Sequence, residues 1–506
     1  MVQYFLRLNM NISKVVIRIT LILLLSLINS QYAYTLNRPY ILTTGIARKN
    51  ISFLLVNPNV SNEKISNFAN QLKNFGINGL ILYEVAPNYG VLLNDKNIWL
   101  HPRNKELKKN IPVDYDIFIS KEKIKTLVKY LHQNGIKAYY YDEMGANDIN
   151  GFNKMFAIYP PIKYPPNCKE YSIPYFKKEE DLNKYNAPIV LYGSYGPAGN
   201  PYTMKFYYAK QIEKLIKEFD IDGIFLDSFG WKCELASFGR LYDGTKINLS
   251  PDDICYEFIK EIKLAAKNAG KKDFKVFINM GFYPDKKKVY PKTSYLNDVV
   301  WVIEIPNYSG LKTIPLYPKT YDELNEKLKS EKGSLIIFQP FFNTQDLHIY
   351  TILLAIAVSN GLGIYHVNNY LGAEWAKPLV PVVEKFNKFI NKYKNLFFTD
   401  KTNLNNVRVY TSSDIICNSY FVDNYLVINL INVDKNTDLT SNKIIQYRNT
   451  QVYIESLNVV KNKVIMSINI VNQTVENLKC DYKDNKLICP VELKDWNIIL
   501  IPKGDI

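Results

Sequence analysis

Short runs of β-branched and aromatic residues alternate with amphipathic helical segments from about residue 52 to about residue 395. This alternation predicts a parallel sheet whose strands are connected by helices. The runs read, in order, SFLLVNP, INGLILYE, IKAYYYDE, IDGIFLD, KVFINM, DVVWVIE, SLIIFQP and GLGIYHV. Because PVVEKFNKFINKYKNLF supplies a last helix, the pattern predicts an α/β fold, a (β/α)₈ TIM barrel over residues 35–398. A doubly wound open sheet is the alternative, but no glycine-rich phosphate turn follows the first strand.

The helices between these runs carry recognisable start and stop signals. Ser250 is followed by Pro251 and Asp253, which predicts a helix opened by a capping box. Glycine residues that end predicted helices are Gly76, Gly135 and Gly270. The predicted N-cap residues are Ser61, Ser120, Ser250 and Thr320.

Two regions depart from this rhythm. Residues 399–506 contain alternating strands separated by polar turns, which predicts a C-terminal antiparallel β-sandwich domain. A long insertion at about 151–202 is rich in Pro, Tyr and Gly and is expected to lie over the carboxyl ends of the barrel strands.

The amino terminus, residues 1–34, resembles an export signal. Basic residues lead into the apolar run ITLILLLSLI and then into NSQYA, which predicts cleavage near Ala33. An uncleaved membrane anchor is the alternative, since the apolar run can be extended to about 20 residues. We therefore expect a secreted or extracellular protein, with association with the membrane or cell surface through the N-terminus as the second case.

Charge and cysteine content add further limits. The formal net charge is +15, but the lysines are scattered along helices, which favours a solvated basic surface over nucleic-acid binding. In CDYKDNKLIC a two-residue turn at Asp484–Asn485 would place Cys480 opposite Cys489, which predicts a disulfide. The spacing of the six cysteines does not suggest zinc, and we expect neither metal nor cofactor.

The candidate chemistry lies at the strand ends, where polar residues close apolar runs. In a barrel these ends form one face, so their side chains share a pocket. The strand-end polar residues are Glu84, Asp142, Glu143, Asp227, Asn279, Glu304, Gln339 and His366. Carboxylates and amides together with many tyrosines indicate a sugar site, and Asp227 and Glu304, two units apart, can flank a glycosidic bond. The apolar run around Glu304 suits a general acid.

Taken in order, INGLILYE, IKAYYYDEMGA, NPYTMKFYYAKQIEKLIKEFDIDGIFLDSFG, VFINMGF, DVVWVIEIPN, AIAVSNGLGIYHVNN and FNKFINKYKNLFF resemble glycoside hydrolase family 66, the dextranases and cycloisomaltooligosaccharide glucanotransferases. The resemblance implies a retaining hydrolase or transglycosylase acting on α-linked, dextran-like glucan. It assigns Asp227 as nucleophile and Glu304 as acid/base. Residues that fall at the family's sugar contacts are Tyr83, Asn279, Tyr365 and His366. The chain departs from the family at Glu84 and in YDEMGAN, both near the expected innermost sugar.

Three functional hypotheses remain open at this level. The first is the secreted retaining enzyme just described, with an oligo- or polysaccharide as its partner. The second is a barrel glycosidase of another specificity, α-galactosidase-like or galactosaminidase-like, which keeps Asp227 but pairs it with Asp142 or Glu143. The third is a noncatalytic glycan-binding surface protein.

Overall fold

A computed structural model of the chain describes residues 42–45, 60–83, 85–87, 92–93, 95–100, 118–143, 146–147, 189–190, 201–227, 229, 249–279, 289–305, 318–331, 333–338, 347–366, 380–399, 401–402, 404, 407–439, 447–456, 465–470 and 473–502. The predicted leader at 1–34 and most of the insertion at 151–202 lie outside these residues. Within the described ranges, no helix combines the length and apolar character that crossing a bilayer requires.

The strands of the first 366 residues belong mostly to one parallel sheet. They are β1 (Leu42–Gly45), β2 (Gly79–Leu82), β3 (Ile98–Leu100), β4 (Phe118–Ser120), β5 (Lys137–Glu143), β6 (Ala146–Asn147), β7 (Ile189–Val190), β8 (Gly223–Asp227), β9 (Lys275–Asn279), β10 (Val299–Ile305), β11 (Leu335–Phe338) and β12 (Gly363–His366). The parallel sheet has the order β1-β12-β11-β10-β9-β8-β5-β2, and β1 pairs with β2 as well as with β12. A curled parallel sheet in a mixed α/β chain confirms the predicted class at this level.

Seven of the eight predicted strands lie in the sheet, and the first is placed differently. The run predicted at residues 52–58 falls outside the described residues, and the strand between β12 and β2 is β1 at Leu42–Gly45. This strand, LTTG, lacks an apolar run. Its position follows from backbone pairing with both neighbours, which hydrophobic periodicity does not detect.

The helices begin and end largely where local signals predict. They are α1 (Asn62–Asn74), α2 (Lys121–Gln133), α3 (Pro201–Phe219), α4 (Pro251–Asn268), α5 (Pro291–Ser294), α6 (Tyr321–Lys329), α7 (Leu347–Ser359) and α8 (Val380–Phe398). All four predicted N-caps are confirmed, because the side chains of Ser61, Ser120, Ser250 and Thr320 each accept a bond from the backbone three residues on. The capping box between Ser250 and Asp253 is complete.

The last helix fixes the end of the first. Gly76 has φ of +71° and ends α1 in the left-handed conformation that suits glycine. Asn387 of α8 donates to the Phe75 carbonyl at 3.0 Å, and Asn391 donates to the Gly76 carbonyl at 2.9 Å. These amides satisfy carbonyls left unpaired at the helix end and join the two ends of the α/β region.

Beyond α8 the described chain forms two antiparallel sheets. Their strands are β13 (Val407–Thr411), β14 (Ile415–Val422), β15 (Tyr425–Asp434), β16 (Arg448–Ser456), β17 (Ile465–Asn469), β18 (Thr474–Leu478), β19 (Asp481–Lys483), β20 (Lys486–Leu493) and β21 (Trp496–Pro502). One sheet has the order β13-β16-β20-β19 and the other β14-β15-β21-β17-β18. An apolar cluster shared by both sheets lies between them.

Three strands of the five-stranded sheet, β14, β15 and β21, are largely buried on both faces. A second apolar cluster joins the other face of this sheet to α6, α7 and α8. This explains why β15 reads YLVINLINVD, with eight consecutive buried residues rather than an alternating pattern. The predicted disulfide Cys480–Cys489 is confirmed, with the two Cα atoms 4.3 Å apart. Asp484 and Asn485 both have positive φ, as a two-residue hairpin turn of this kind requires.

Candidate active site

The inner face of the parallel sheet is apolar in its depth and polar at its carboxyl end. Side chains alternate between the two faces of a strand, so Phe225 and Asp227 of β8 lie on the same face. Phe225 belongs to an apolar cluster formed by the inward residues of several strands. The same step of two leads from Phe277 to Asn279 on β9 and from Val302 to Glu304 on β10. Asp227, Asn279 and Glu304 therefore form one polar layer above an apolar plug.

Each oxygen of the Asp227 carboxylate accepts a hydrogen bond. Tyr141 of β5 donates its hydroxyl to Oδ2 at 2.6 Å, and the side-chain amide of Asn279 donates to Oδ1 at 2.7 Å. Both donors are buried, with Tyr141 1% and Asn279 3% exposed, whereas Asp227 is half-buried. Charge-assisted bonds from two rigid donors fix the plane of the carboxylate.

The Asn279 amide also holds Glu304. Its nitrogen donates to Glu304 Oε2 at 2.8 Å while bonded to Asp227 Oδ1 at 2.7 Å. Two oxygens bonded to one nitrogen can be no farther apart than the sum of these lengths, 5.5 Å. The structure therefore brings the two acids predicted from the sequence to the two sides of a single amide.

Tyrosines form one wall of this layer. The rings of Tyr83 and Tyr141 have centroids 4.0 Å apart, and their hydroxyls are separated by 3.3 Å. Tyr141 also packs on Phe225, with ring centroids 5.7 Å apart, and the Tyr365 ring centroid lies 5.8 Å from that of Phe225. Tyr83 is only partly buried, so this wall presents aromatic surface beside the carboxylates.

Asp142 is not brought to this layer. Its neighbours Tyr141 and Tyr139 face inward, so Asp142 faces the helices, where it is 1% exposed. There it accepts a hydrogen bond from the Tyr208 hydroxyl of α3 at 2.7 Å. The expectation that Asp142 contacts substrate is corrected by the alternation of the strand, and its observed contact joins strand and helix.

Four other predicted site residues are described in part or not at all. Glu84 and Gln339 lie outside the described residues. For Glu143 and His366 only the backbone is described: Glu143 lies opposite Asp227 in the β5–β8 pairing, and His366 lies opposite Thr44 in the β1–β12 pairing. Their roles as sugar contacts stay predictions.

Sequence reasoning missed Tyr141. The signal was present, because in KAYYYDE the first and third tyrosines share one face while Asp142 takes the other. Residue type alone favours Asp142 as the site residue at this strand end, whereas the alternation of faces favours the phenol of the adjacent Tyr141.

The opposite end of the sheet carries a charged cluster of another kind. Asp222, immediately before β8, is bonded to His132, Lys137 and Lys271 and to the Ala138 amide. Burial alone would raise the pKa of this carboxyl. The hydrogen bonds from His132 and Ala138 and the nearby positive charges outweigh burial, so the pKa lies well below its ordinary value. Among the described residues, no three or more His, Cys, Asp or Glu side chains are grouped so that they could hold a metal ion.

Comparison with known proteins relates this geometry to a family. The model of glycosyl hydrolase family 66 matches residues 52–499. No curated relative matches by sequence.

Among solved structures, the chain is similar to a cycloisomaltooligosaccharide glucanotransferase of Paenibacillus sp. complexed with cycloisomaltoheptaose. The TM-score is 0.66 at 12% identity over 92% of this chain and 85% of that one. It is also similar to a maltogenic α-amylase of Thermotoga neapolitana, with a TM-score of 0.51 at 14% identity over 91% and 98% of the two chains. It is similar as well to an Anoxybacillus α-amylase, with a TM-score of 0.51 at 14% identity over 92% of this chain and 99% of that one. At these identities the structures show a shared fold.

Proposed function

The chain belongs to glycosyl hydrolase family 66 and is a glycoside hydrolase or transglycosylase, and from this we propose that it acts on α-linked glucan by a retaining mechanism. Asp227 is the nucleophile in this proposal, and Glu304 is the general acid and base. The proposed substrate class, α-linked glucan, is supported by the similar structure that was crystallised with cycloisomaltoheptaose and by the two α-amylases of similar fold. Tyr83, which is only partly buried, supplies aromatic surface for the sugar.

The observation that carries the mechanism is the spacing set by Asn279. Retaining glycosidases hold their two carboxyl groups about 5–5.5 Å apart, whereas inverting enzymes need about 6.5–9.5 Å to admit a water. The facing oxygens Asp227 Oδ1 and Glu304 Oε2 are at most 5.5 Å apart and are bridged directly by the Asn279 amide, which supports the retaining geometry.

The reaction then has two steps. Asp227 attacks the anomeric carbon, the glycosidic bond breaks, and Glu304 gives its proton to the leaving oxygen. In the second step Glu304 takes a proton from water or an acceptor hydroxyl. That oxygen attacks the anomeric carbon, and the ester to Asp227 breaks. The α-configuration is kept after two inversions.

Architecture and location complete the proposal. The parallel sheet is proposed to be a (β/α)₈ barrel, supported by the pairing of β1 with both β2 and β12. The two antiparallel sheets are proposed to form a β-sandwich, supported by their shared apolar cluster. We propose export through residues 1–34, which N-terminal sequencing of protein recovered from the medium would test.

The test of the chemistry uses the purified protein and a panel of dextran, amylose, pullulan and an α-galactan. Release of sugar from an α-glucan that is lost in Asp227→Asn supports the proposal. Release of sugar from the α-galactan alone supports the α-galactosidase-like specificity. The anomer formed first is read by NMR, and a β-product would contradict retention.

The acid/base is tested on an aryl α-glucoside, whose leaving group needs no proton. Glu304→Ala should recover turnover when azide is added and should yield the α-glycosyl azide, because azide attacks without base assistance. Glu143→Ala is the matched variant. If azide rescues it and leaves Glu304→Ala inactive, the second carboxylate is Glu143 and the assignment of Glu304 is wrong.

A further inference from the structure

The contact between Tyr141 and Asp227 distinguishes the two oxygens of the proposed nucleophile. Oδ1 is bonded to Asn279, whose amide also reaches Glu304, so Oδ1 lies on the Glu304 side. Oδ2 accepts the Tyr141 hydroxyl at 2.6 Å. A glycosidic bond held between the two acids faces Oδ1. Oδ1 therefore becomes the ester oxygen and Oδ2 the ester carbonyl oxygen.

We infer that Tyr141 is a positioning residue that promotes the second step, the breakdown of the glycosyl-enzyme. The inference rests on the proposed roles of Asp227 and Glu304. In the free enzyme the phenol donates to a charged carboxylate, and in the intermediate it donates to a neutral ester oxygen. Hydrogen bonds to charged acceptors are roughly twice as strong as neutral ones, so the bond strengthens as the ester breaks and the carboxylate leaves.

The same bond has the opposite effect on the first step. It stabilises the carboxylate before attack and weakens as the ester forms. The Tyr141 hydroxyl therefore favours the departure of Asp227 from the sugar over its attack, and its removal should slow only the second step. This asymmetry separates the inferred role from a general contribution to structure.

Packing gives the phenol the rigidity that this role needs. The Tyr141 ring is 1% exposed and lies between Tyr83, at 4.0 Å, and Phe225, at 5.7 Å. A ring held on both sides keeps its hydroxyl in place while charge on Asp227 changes, so no reorganisation is needed during the reaction.

Tyr141→Phe tests the inference with a 4-nitrophenyl α-isomaltooligosaccharide, whose good leaving group makes the second step limiting. We expect kcat to fall about 10- to 100-fold, the range for losing a bond to a charged group. KM should fall with it, while kcat/KM, which reports the first step, is unchanged or raised. Stopped-flow should show a burst of 4-nitrophenolate, and mass spectrometry should detect the glycosylated protein.

Tyr208→Phe is the matched control. It removes a buried phenol-to-carboxylate bond of similar length, 2.7 Å to Asp142, on the outer side of the sheet. Its kcat and kcat/KM should stay at the wild-type values. Tyr141 replaced by 3-fluorotyrosine retains the ring and the hydroxyl and should also keep the wild-type kcat, which keeps the test valid if Tyr141→Phe folds poorly.

Two results would overturn the inference. One is an equal fall of kcat and kcat/KM in Tyr141→Phe without a burst, which places the effect in the first step. The other is the same fall of kcat at unchanged kcat/KM in Tyr208→Phe. Asp227→Asn is measured alongside, because turnover that survives there defeats the proposed function itself. Loss of turnover in Asp227→Asn with wild-type kinetics in Tyr141→Phe defeats only the role of Tyr141.

Discussion

The buried carboxylate of Asp222 is expected to stabilise the fold without affecting catalysis. It lies before β8, at the end of the sheet opposite Asp227 and away from the proposed chemistry. Its Oδ2 accepts from His132 at 2.7 Å and from the Ala138 amide at 3.0 Å. Lys137 and Lys271 reach Oδ1 at 3.1 and 3.3 Å.

Asp222→Asn keeps the shape of the side chain and removes its charge. The two lysines are partly exposed, at 60% and 23%, so they contribute little to the loss. The two buried bonds change from charged to neutral, each losing about 1–1.5 kcal/mol, so the free energy of unfolding should fall by about 2–3 kcal/mol. Thermal unfolding followed by calorimetry at pH 7 should show a Tm lower by a few degrees, with unchanged activity.

The pH dependence gives a second and sharper test. The pKa of Asp222 is lower in the folded than in the unfolded chain, so its contribution is full above the unfolded pKa and is lost as pH falls towards the folded value. With an unfolded pKa of about 3.9, roughly 1 kcal/mol of this stabilisation is lost by pH 3. The difference in the free energy of unfolding between the wild type and Asp222→Asn should therefore narrow by the same amount.

Glu213→Gln is the control for this experiment. It neutralises an exposed carboxylate paired with Lys217 four residues along α3, and we expect a change below about 0.5 kcal/mol. A wild-type advantage over Asp222→Asn that is absent at pH 7, or equally large at pH 3, would refute the reasoning.

Substitutions at three other positions test further parts of the structure. Asn279→Ala removes the amide shared by the two acids and should lower kcat about 100-fold or more with the fold intact, as checked by circular dichroism; near-normal kcat would contradict the spacing argument. Asn418→Ala leaves the side-chain NH2 of buried Asn325 without its acceptor between α6 and β14, and should cost about 2–4 kcal/mol in thermal unfolding, whereas no loss would show that the contact is not stabilising. Ser250→Ala removes the cap of α4 and should cost about 1 kcal/mol, while Ser250→Asp, which can still cap, should cost less.

Much of the α/β region was predictable because its signals are local. A cap is a contact between residues three apart, so Ser61 and Ser250 could be identified from the sequence and are confirmed. The hairpin of Cys480 and Cys489 was predictable for the same reason, since its turn sets the register directly. Strand β14, IICNSYFV, is harder to predict because both of its faces are largely buried and its pattern does not alternate.

The candidate site was predictable in its acids and less so in their surroundings. Asp227 and Glu304 close apolar strands, a pattern visible in sequence. The misplacement of Asp142 and the omission of Tyr141 have one cause, because adjacent residues of a strand face opposite sides and residue type does not reveal which side is inner. The link from Asn279 to both acids depends on the order of β8, β9 and β10 in the sheet.

By itself the sequence determined the alternation of strands and helices, most helix ends, the disulfide hairpin, the family and two acids at strand ends. Each is encoded in residue spacing or in short contacts along the chain. Only the tertiary structure decided that β1 lies at Leu42–Gly45, that Asp142 faces the helices, and that a tyrosine and an asparagine hold Asp227. These depend on pairing between segments far apart in sequence, where backbone hydrogen bonds set the register and the register decides which side chains meet.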